Sequence, residues 1–296
     1  MAAIGGTKPI LAQRITQEVQ TPLLRPFPSN APHRILSIDM GIRNLALCLI
    51  HIPHASQIPE ISDWHRLVVS ARPVQTDSSI VAESFEPIDY AAKAYNLMKY
   101  SIEAYKPHTI LIERQRYRSG GSAGVQEWTV RVNMLESMFH AVLHTLAQQH
   151  QFDYTVYSVS PRKITQLWLG DIKEKMNARE TKNAKIGIAE NIIRGENTKI
   201  LLKGQAKDVA EEHISLDSLG IPKDKSKGRK VGVKKFDDLA DALLQGLGWW
   251  KWHFNRSIMM TEILESEEKP PNPTELTKIA KNKIVARSRP VEAKTA

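Results

Sequence analysis

The chain predicts an α/β fold: a mixed five-stranded sheet flanked by helices, with a basic helical insertion before the last helix. Three observations carry this reading. Short runs rich in Ile, Val and Leu alternate with stretches of helical spacing. The first two runs are separated only by the turn-like Met40-Gly41-Ile42-Arg43, which pairs them antiparallel. No internal repeat intervenes, so one sheet covered by helices is the simplest way to bury the apolar faces.

Taken in order, Ile35 to Asp39 and Asn44 to Ile50 are the first two strands, and Trp64 to Ser70 follows a Pro-containing loop as the third strand of a meander. Ala91, Ala94, Tyr95, Leu97, Met98 and Ile102 have helical spacing across Tyr90 to Tyr105, and Pro107 stops that helix before a strand from Thr109 to Glu113. A longer helix, about Gln126 to His150, is read with Val130, Met134, Met138, Ala141 and Leu146 on a common side. Tyr154 to Ser160 is a fifth strand by its β-branched and aromatic content. Pro161 opens a helix over Arg162 to Leu169, since proline is well tolerated in a first turn. The last helix runs from about Phe236 to His253.

At 296 residues and 42% hydrophobic content the chain can bury one large core or two small ones. A net charge of +9 attracts polyanions, nucleic acid or an anionic surface. No apolar run approaches the ~18 residues that cross a bilayer, so no membrane span is expected. The lone Cys48, within LALCLI, reads as a buried small hydrophobe and forms no intrachain disulfide, which fits a reducing compartment. Positive charge concentrates between Pro161 and Lys235, with 18 Lys/Arg against 10 Asp/Glu. Its sharpest cluster is Lys223, Lys225, Lys227, Arg229, Lys230, Lys234 and Lys235. A solvated loop is one reading, and a phosphate-contacting arm leading into the last helix is the favoured one.

The expected domain layout is an extension over 1–33, an α/β domain over 34–255 with the basic insertion at about 171–235, and a basic tail over 256–296. Residues 1–33 are acid-poor, with Lys8, Arg14 and Arg25 against Glu18. That resembles a targeting segment, although an amphipathic Arg-rich helix is not evident. The tail, with Pro270, Pro271, Pro273 and Pro290 among lysines, reads as disordered.

Four acids stand where a fold can bring carboxylates together. Asp39 ends the first strand, with Ile38 and Met40 pointing to the core and Asp39 the other way. Gly41 lets the backbone turn tightly beside a ligand. Alone, Asp39 is as readily a turn residue. Glu113 ends the apolar strand Ile110-Leu111-Ile112, where an unpaired charge is costly; it is either a metal ligand or an ion-pair partner of Arg114 or Arg116. Asp238 and Asp241 neighbour one another on a helix, and two carboxylates so held repel unless a cation lies between them. A solvated helix start is the structural alternative, but Leu239, Ala240, Ala242, Leu243 and Leu244 surround Asp241.

Carboxylate oxygens suit a hard cation such as Mg²⁺, with Mn²⁺ as substitute, and two ions roughly 3.5–4 Å apart would activate water for in-line attack at phosphorus. No His/Cys set has zinc spacing, and Ser119 to Gly124 lacks the Lys-Ser/Thr ending of a phosphate loop. Arg43, Arg114, Gln115, Arg116, Arg118, Lys163, Lys230, Lys234 and Lys235 are the candidate DNA contacts.

In order, Ile-Asp-Met-Gly-Ile-Arg-Asn-Leu, Ile-Glu-Arg-Gln and Asp-Asp-Leu-Ala-Asp-Ala-Leu resemble the fungal mitochondrial Holliday-junction resolvases, cruciform-cutting endonucleases related to bacterial RuvC. The resemblance spans about Arg34 to His253. It implies an RNase H-like fold, a homodimer, a mitochondrial location, and Mg²⁺- or Mn²⁺-dependent, paired symmetrical nicking of a four-way DNA junction. Matched motif to motif, it puts the metal-binding, catalytic acids on Asp39, Glu113, Asp238 and Asp241, and leaves Asp237 without a role. The long helix at Gln126 to His150, with Trp128, Met134, Met138 and Phe139, is either the dimer element or an internal core helix. Other RNase H-like enzymes, such as a hybrid-cutting ribonuclease or a transposase-type nuclease, would use the same acids, and a non-catalytic structure-specific DNA-binding protein would keep them for structural reasons.

Overall fold

The computed structural model describes residues 31–53, 58–69, 86–115, 126–150, 152–170, 176–196, 198–218 and 236–265, with isolated positions before residue 31. The extension at 1–33, the Lys223–Lys235 cluster and the tail beyond 265 fall almost wholly outside these residues. The chain divides into two compact units, Asn30–Leu247 and a second made of Met1–Ser29 with Gly248–Ala296.

The first unit is built on a mixed sheet: β1 (His33–Asp39), β2 (Leu45–Ile52), β3 (Glu60–Leu67), β4 (Thr109–Glu113), β5 (Thr155–Val159) and β6 (Leu201–Leu202), in the order β5-β4-β1-β2-β3-β6. β1, β2 and β3 form the expected antiparallel meander, and β4 and β5 add in parallel beside β1. The expected five strands are thus joined by a sixth. β6 is two residues long and pairs parallel with β3, with Leu201 and Lys203 donating their N–H groups to Pro59 and Ile61 carbonyls. The basic insertion therefore returns to the sheet edge instead of forming only an arm. β3 also starts earlier than expected, at Glu60, and a register shift at Ser62 interrupts the period-two pattern, so that the fully buried Ile61 and Trp64 stand three residues apart.

Six helices accompany the strands among the described residues: α1 (Pro87–Tyr105), α2 (Glu127–His150), α3 (Pro161–Leu169), α4 (Ala178–Ile193), α5 (Gly204–Ser218) and α6 (Phe236–Glu265). α1 ends at Lys106 in the left-handed conformation, whose N–H caps the Ile102 carbonyl, and Pro107 follows. α4 begins with a full capping box, Asn177 and Glu180 each accepting from the other's backbone N–H. α6 runs beyond His253 to Glu265, since no proline occurs between Gly248 and Pro270.

One face of the sheet is covered by α1 and α2. Leu36, Ile38, Met40, Ile110 and Ile112 pack there with Tyr90, Ala94, Met98 and Ile102 of α1 and with Val132, Leu135, Phe139, Leu143 and Leu146 of α2. The buried stripe of α2 differs from the expected one: Val130 is 50% exposed and Ala141 is also outside, while Met134 and Met138 lie at the edge of the core. Two apolar stripes run along α2, and the one carrying Phe139 wins because fully burying an aromatic or Leu side chain is worth about 1.5–3 kcal/mol. Phe139 accordingly faces inward and presents nothing to a partner chain.

The opposite face carries α6. The row Ser37–Cys48–Trp64 crosses β1, β2 and β3 on this side, and the Trp64 indole donates to the Leu239 carbonyl at 2.9 Å. The helix comes close to the sheet at Gly246, where a Cβ would stand 2.4 Å from Ile50 Cδ1 and 3.1 Å from Ser37 Cβ.

Gly246→Ala gains up to about 1 kcal/mol in helix propensity but overpacks a closed interface, a cost of about 1–3 kcal/mol. It should lower unfolding stability in urea. Gly187→Ala in α4, where no atom lies within 4 Å of the new Cβ, should instead raise it by about 0.5–1 kcal/mol. Equal effects at the two positions would contradict the packing described.

Candidate active site

Asp39 and Glu113 are the last residues of neighbouring parallel strands. The register pairs Ile38 with Ile112, so the next positions lie side by side, on the face that carries Ser37 and Leu111. Ile38, Met40 and Ile112 point to the α1/α2 core, and the two carboxyl groups point to the α6 side. Asp39 is buried, 8% exposed, and lines the same cleft as Glu113. Burial first, then Glu113, Asp241 and Asp238, hold its carboxyl well above the usual range. A buried carboxyl crowded by other acids holds its proton more tightly than a free one.

Behind Asp39 the chain turns at Gly41. The turn itself requires glycine there: a Cβ on Gly41 would be 2.8 Å from the Asn44 carbonyl oxygen.

α6 delivers the second pair of acids. Asp241 lines one cleft with Asp39, Glu113 and Gln245, walled by Ile164 and Thr165 of α3. Asp238, one turn earlier, adds its charge to the field on Asp39. The Lys185 ammonium of α4 reaches both oxygens of Asp241, at 2.5 and 2.7 Å. Lys185 lowers the proton affinity of Asp241, yet burial outweighs it and, with Glu113 and Asp237, leaves that carboxyl raised. Asp237 has its own cation, Lys182, at 2.5 Å on the more exposed side of α4. The extra acid of the Asp-Asp pair therefore belongs to an outer ion pair between α4 and α6.

α6 is held in register by side chains from several directions. Trp64 grips it at Leu239, and the Trp168 indole of α3 donates to the Leu244 carbonyl at 2.9 Å. The Gln245 amide donates to Ser37 Oγ, the Ile38 carbonyl and the Leu111 carbonyl, at 3.1, 3.1 and 3.4 Å.

Glu113 is oriented from the other side by Gln115, whose amide donates to its Oε2 at 3.0 Å, while the Gln115 backbone N–H donates to Glu136 of α2 at 2.9 Å. Burial raises the Glu136 carboxyl. Gln115 was expected to contact DNA; its side chain is engaged here with Glu113. Arg114 and Lys163 are exposed, as is Arg43, whose guanidinium carbon lies 5.6 Å from the ring centre of the part-exposed Trp128. Arg116, Arg118, Lys230, Lys234 and Lys235 lie outside the described residues. Lys185, Glu136 and Gln245 escape the sequence reading. The one signal for Gln245 was a lone amide, four residues after Asp241, in an otherwise apolar stretch.

The donor set suits a hard divalent cation: carboxylate oxygens, mutually repelling and buried. Among the described residues no three His, Cys, Asp or Glu side chains converge closely enough to grip an ion as they stand. The counter-charge at Asp241 is supplied by Lys185, and a cation binding there would compete with it.

Residues 35–259 match the family described as "Mitochondrial resolvase Ydc2 / RNA splicing MRS1". The chain is 32% identical over 253 residues to the mitochondrial cruciform cutting endonuclease 1 of Schizosaccharomyces pombe, covering 83% of this chain and 85% of that one. It is 25% identical to the protein of that name from Saccharomyces cerevisiae, over 79% and 72% of the two chains. The crystal structure of the yeast mitochondrial Holliday junction resolvase Ydc2 superimposes with a TM-score of 0.57 at 29% identity, covering 86% of this chain and 89% of that one.

A raised carboxyl binds its proton more tightly folded than unfolded, so its contribution is present at low pH and is lost as pH rises through the folded value. In EDTA, the melting temperature should therefore fall with rising pH as the Asp39 cluster ionises. Asp39→Asn should remove part of that fall and melt higher at alkaline pH, by roughly 2–4 °C for each kcal/mol relieved. Parallel curves for the two proteins would refute the described electrostatics.

Proposed function

We propose, since this chain belongs to the mitochondrial resolvase Ydc2 / RNA splicing MRS1 family, that it is a structure-specific DNA endonuclease that resolves four-way junctions by hydrolysing phosphodiesters. The single observation that carries the reading is the convergence of Asp39, Glu113 and Asp241 on one cleft, with Asp238 adding its charge, in a chain with net charge +9. The family description spans a DNA resolvase and an RNA-splicing protein. A purely binding role gives no reason to keep repelling carboxylates together at a buried strand end, whereas phosphodiester cutting does.

Asp39, Glu113, Asp238 and Asp241 are the residues that would hold Mg²⁺ or Mn²⁺, two ions per site being the reading taken from the chemistry of carboxylates at a phosphodiester. A divalent cation held there lowers the pKa of a bound water and neutralises charge building on the scissile phosphate. The chain's own residues prepare that chemistry. Gln115 fixes the Glu113 carboxylate by a hydrogen bond, and α3 walls the cleft beside it. Lys185, 18% exposed and held at Asp241, is placed to offer its ammonium to a phosphate oxygen once Asp241 is otherwise engaged. Arg43, Arg114 and Lys163 are exposed phosphate contacts, and Arg116, Arg118, Lys230, Lys234 and Lys235 extend them. Symmetrical nicking needs two such sites related by a two-fold axis, hence a homodimer matching the symmetry of the junction. Both named relatives are mitochondrial, and the same location is assigned to this chain.

The test is a synthetic four-way junction with Mg²⁺, alongside duplex, flap and RNA–DNA hybrid substrates. The wild-type chain should nick the junction in symmetrically paired positions. Asp39→Asn and Glu113→Gln should each slow nicking by about 10²–10³-fold, the scale of losing one group that stabilises transition-state charge, while still binding the junction. Preferential cutting of the hybrid would point to a ribonuclease, and tight junction binding without nicking to a non-catalytic role.

A further inference from the structure

The sheet face of α6 is apolar except for one stripe. Leu243, Leu244 and Leu247 are fully buried, and Asp238, Asp241 and Gln245 follow one another at helical spacing along the same side. Gln245 is 3% exposed. An amide buried there is costly unless paired, and an apolar residue of similar shape would serve packing equally well. Stability alone therefore does not call for a glutamine.

Its partners indicate what does. The Gln245 amide nitrogen meets the carbonyl of Ile38, the residue before Asp39, and the hydroxyl of Ser37 behind it, and lies within reach of the carbonyl of Leu111, two residues before Glu113. Gln245 itself is one helical turn beyond Asp241. One side chain thus touches β1, β4 and α6, the elements that carry all four acids. The close approach at Gly246, over Ser37, brings the helix near enough for the amide to reach. Apolar faces tolerate sliding and rotation; directional hydrogen bonds to two strands do not.

We propose that Gln245 is a positioning residue, which sets the register of α6 on the strand ends so that Asp238 and Asp241 stand correctly against Asp39 and Glu113 for a divalent cation. This rests on the reading of those acids as a metal site, and it adds a residue outside the ligand set that tunes the affinity.

The test is Mn²⁺ binding to the full-length protein by electron paramagnetic resonance, with nicking of a four-way junction measured separately over a Mn²⁺ titration. Gln245→Met removes the donor at similar volume and should weaken Mn²⁺ binding about tenfold or more, the scale of losing an outer-shell partner. Its junction affinity in Ca²⁺ should stay within about twofold of wild type, for it leaves the surface untouched. Ser37→Ala deletes one acceptor while the amide keeps the Ile38 carbonyl, and should weaken Mn²⁺ binding by a smaller factor; it serves where Gln245→Met does not fold. Leu143→Ala, in the core on the opposite sheet face, should lower the melting temperature without changing Mn²⁺ affinity. Wild-type Mn²⁺ affinity in Gln245→Met, or in Ser37→Ala if only that variant folds, overturns the proposal, as does a wild-type chain that binds no Mn²⁺. A chain that binds Mn²⁺ but nicks no junction would sink the nuclease reading alone and leave Gln245 to be judged on the binding data.

Discussion

Repulsion among the carboxylates is the constraint around which the rest of this structure is arranged. Asp39 and Glu113 are fixed side by side by the parallel pairing of β1 with β4, and the α6 acids are pressed towards them by the docking of that helix. The cost of that assembly is visible in the Asp39 and Asp241 carboxyls, raised first by burial and then by the neighbouring acids, with Lys185 opposing the rise at Asp241. Apolar packing has to offset it. The contacts that do so cluster around α6: the indoles of Trp64 and Trp168 on two of its carbonyls, the close approach at Gly246, and the buried leucines between them.

The same cost explains the position of α4. Its capping box starts the helix at a defined residue, and Lys182 and Lys185, one turn apart, then fall opposite Asp237 and Asp241. Lys185 pairs in a half-buried setting, where a lone carboxylate would be most expensive, and Lys182 pairs further out, where solvent already screens the charge. Part of the basic insertion is therefore spent on the site itself, and only the remainder is available to a nucleic-acid backbone.

Legibility in the sequence followed how local each signal was. Asp39 and Glu113 could be found because a strand end is defined by its own few residues, and the Asp238/Asp241 pair by helical spacing. The meander, the existence of the fourth and fifth strands and the proline-led α3 were readable for the same reason. β6 was not: two residues carry no periodicity, and their pairing with β3 depends on residues more than a hundred positions away. α2 has two apolar stripes, and the choice between them depends on what the sheet offers opposite, so Val130 was placed inside when it lies outside. Lys185 was counted among the basic residues of the insertion because charge composition says nothing about which lysine turns inward. Gln115 reads as a DNA contact from its basic neighbours, and its hydrogen bond to Glu113 has no local sequence signal.

Strand ends and helix faces contribute differently to such a site. The strand acids are fixed by backbone ladders, so their spacing varies little whatever the side chains around them do. The helix acids are fixed only through packing, which resists separation far better than it resists sliding along the interface. A site built from both kinds of element is therefore only as well defined as the register of the helix on the sheet. Polar contacts across an otherwise apolar interface are the economical way to fix that register, since they restrict direction and distance while adding little to stability. The placement of Trp64, Trp168 and Gln245 along α6 follows that logic: each binds a backbone carbonyl, which no rotamer change can displace, and together they bracket the segment on which Asp241 sits.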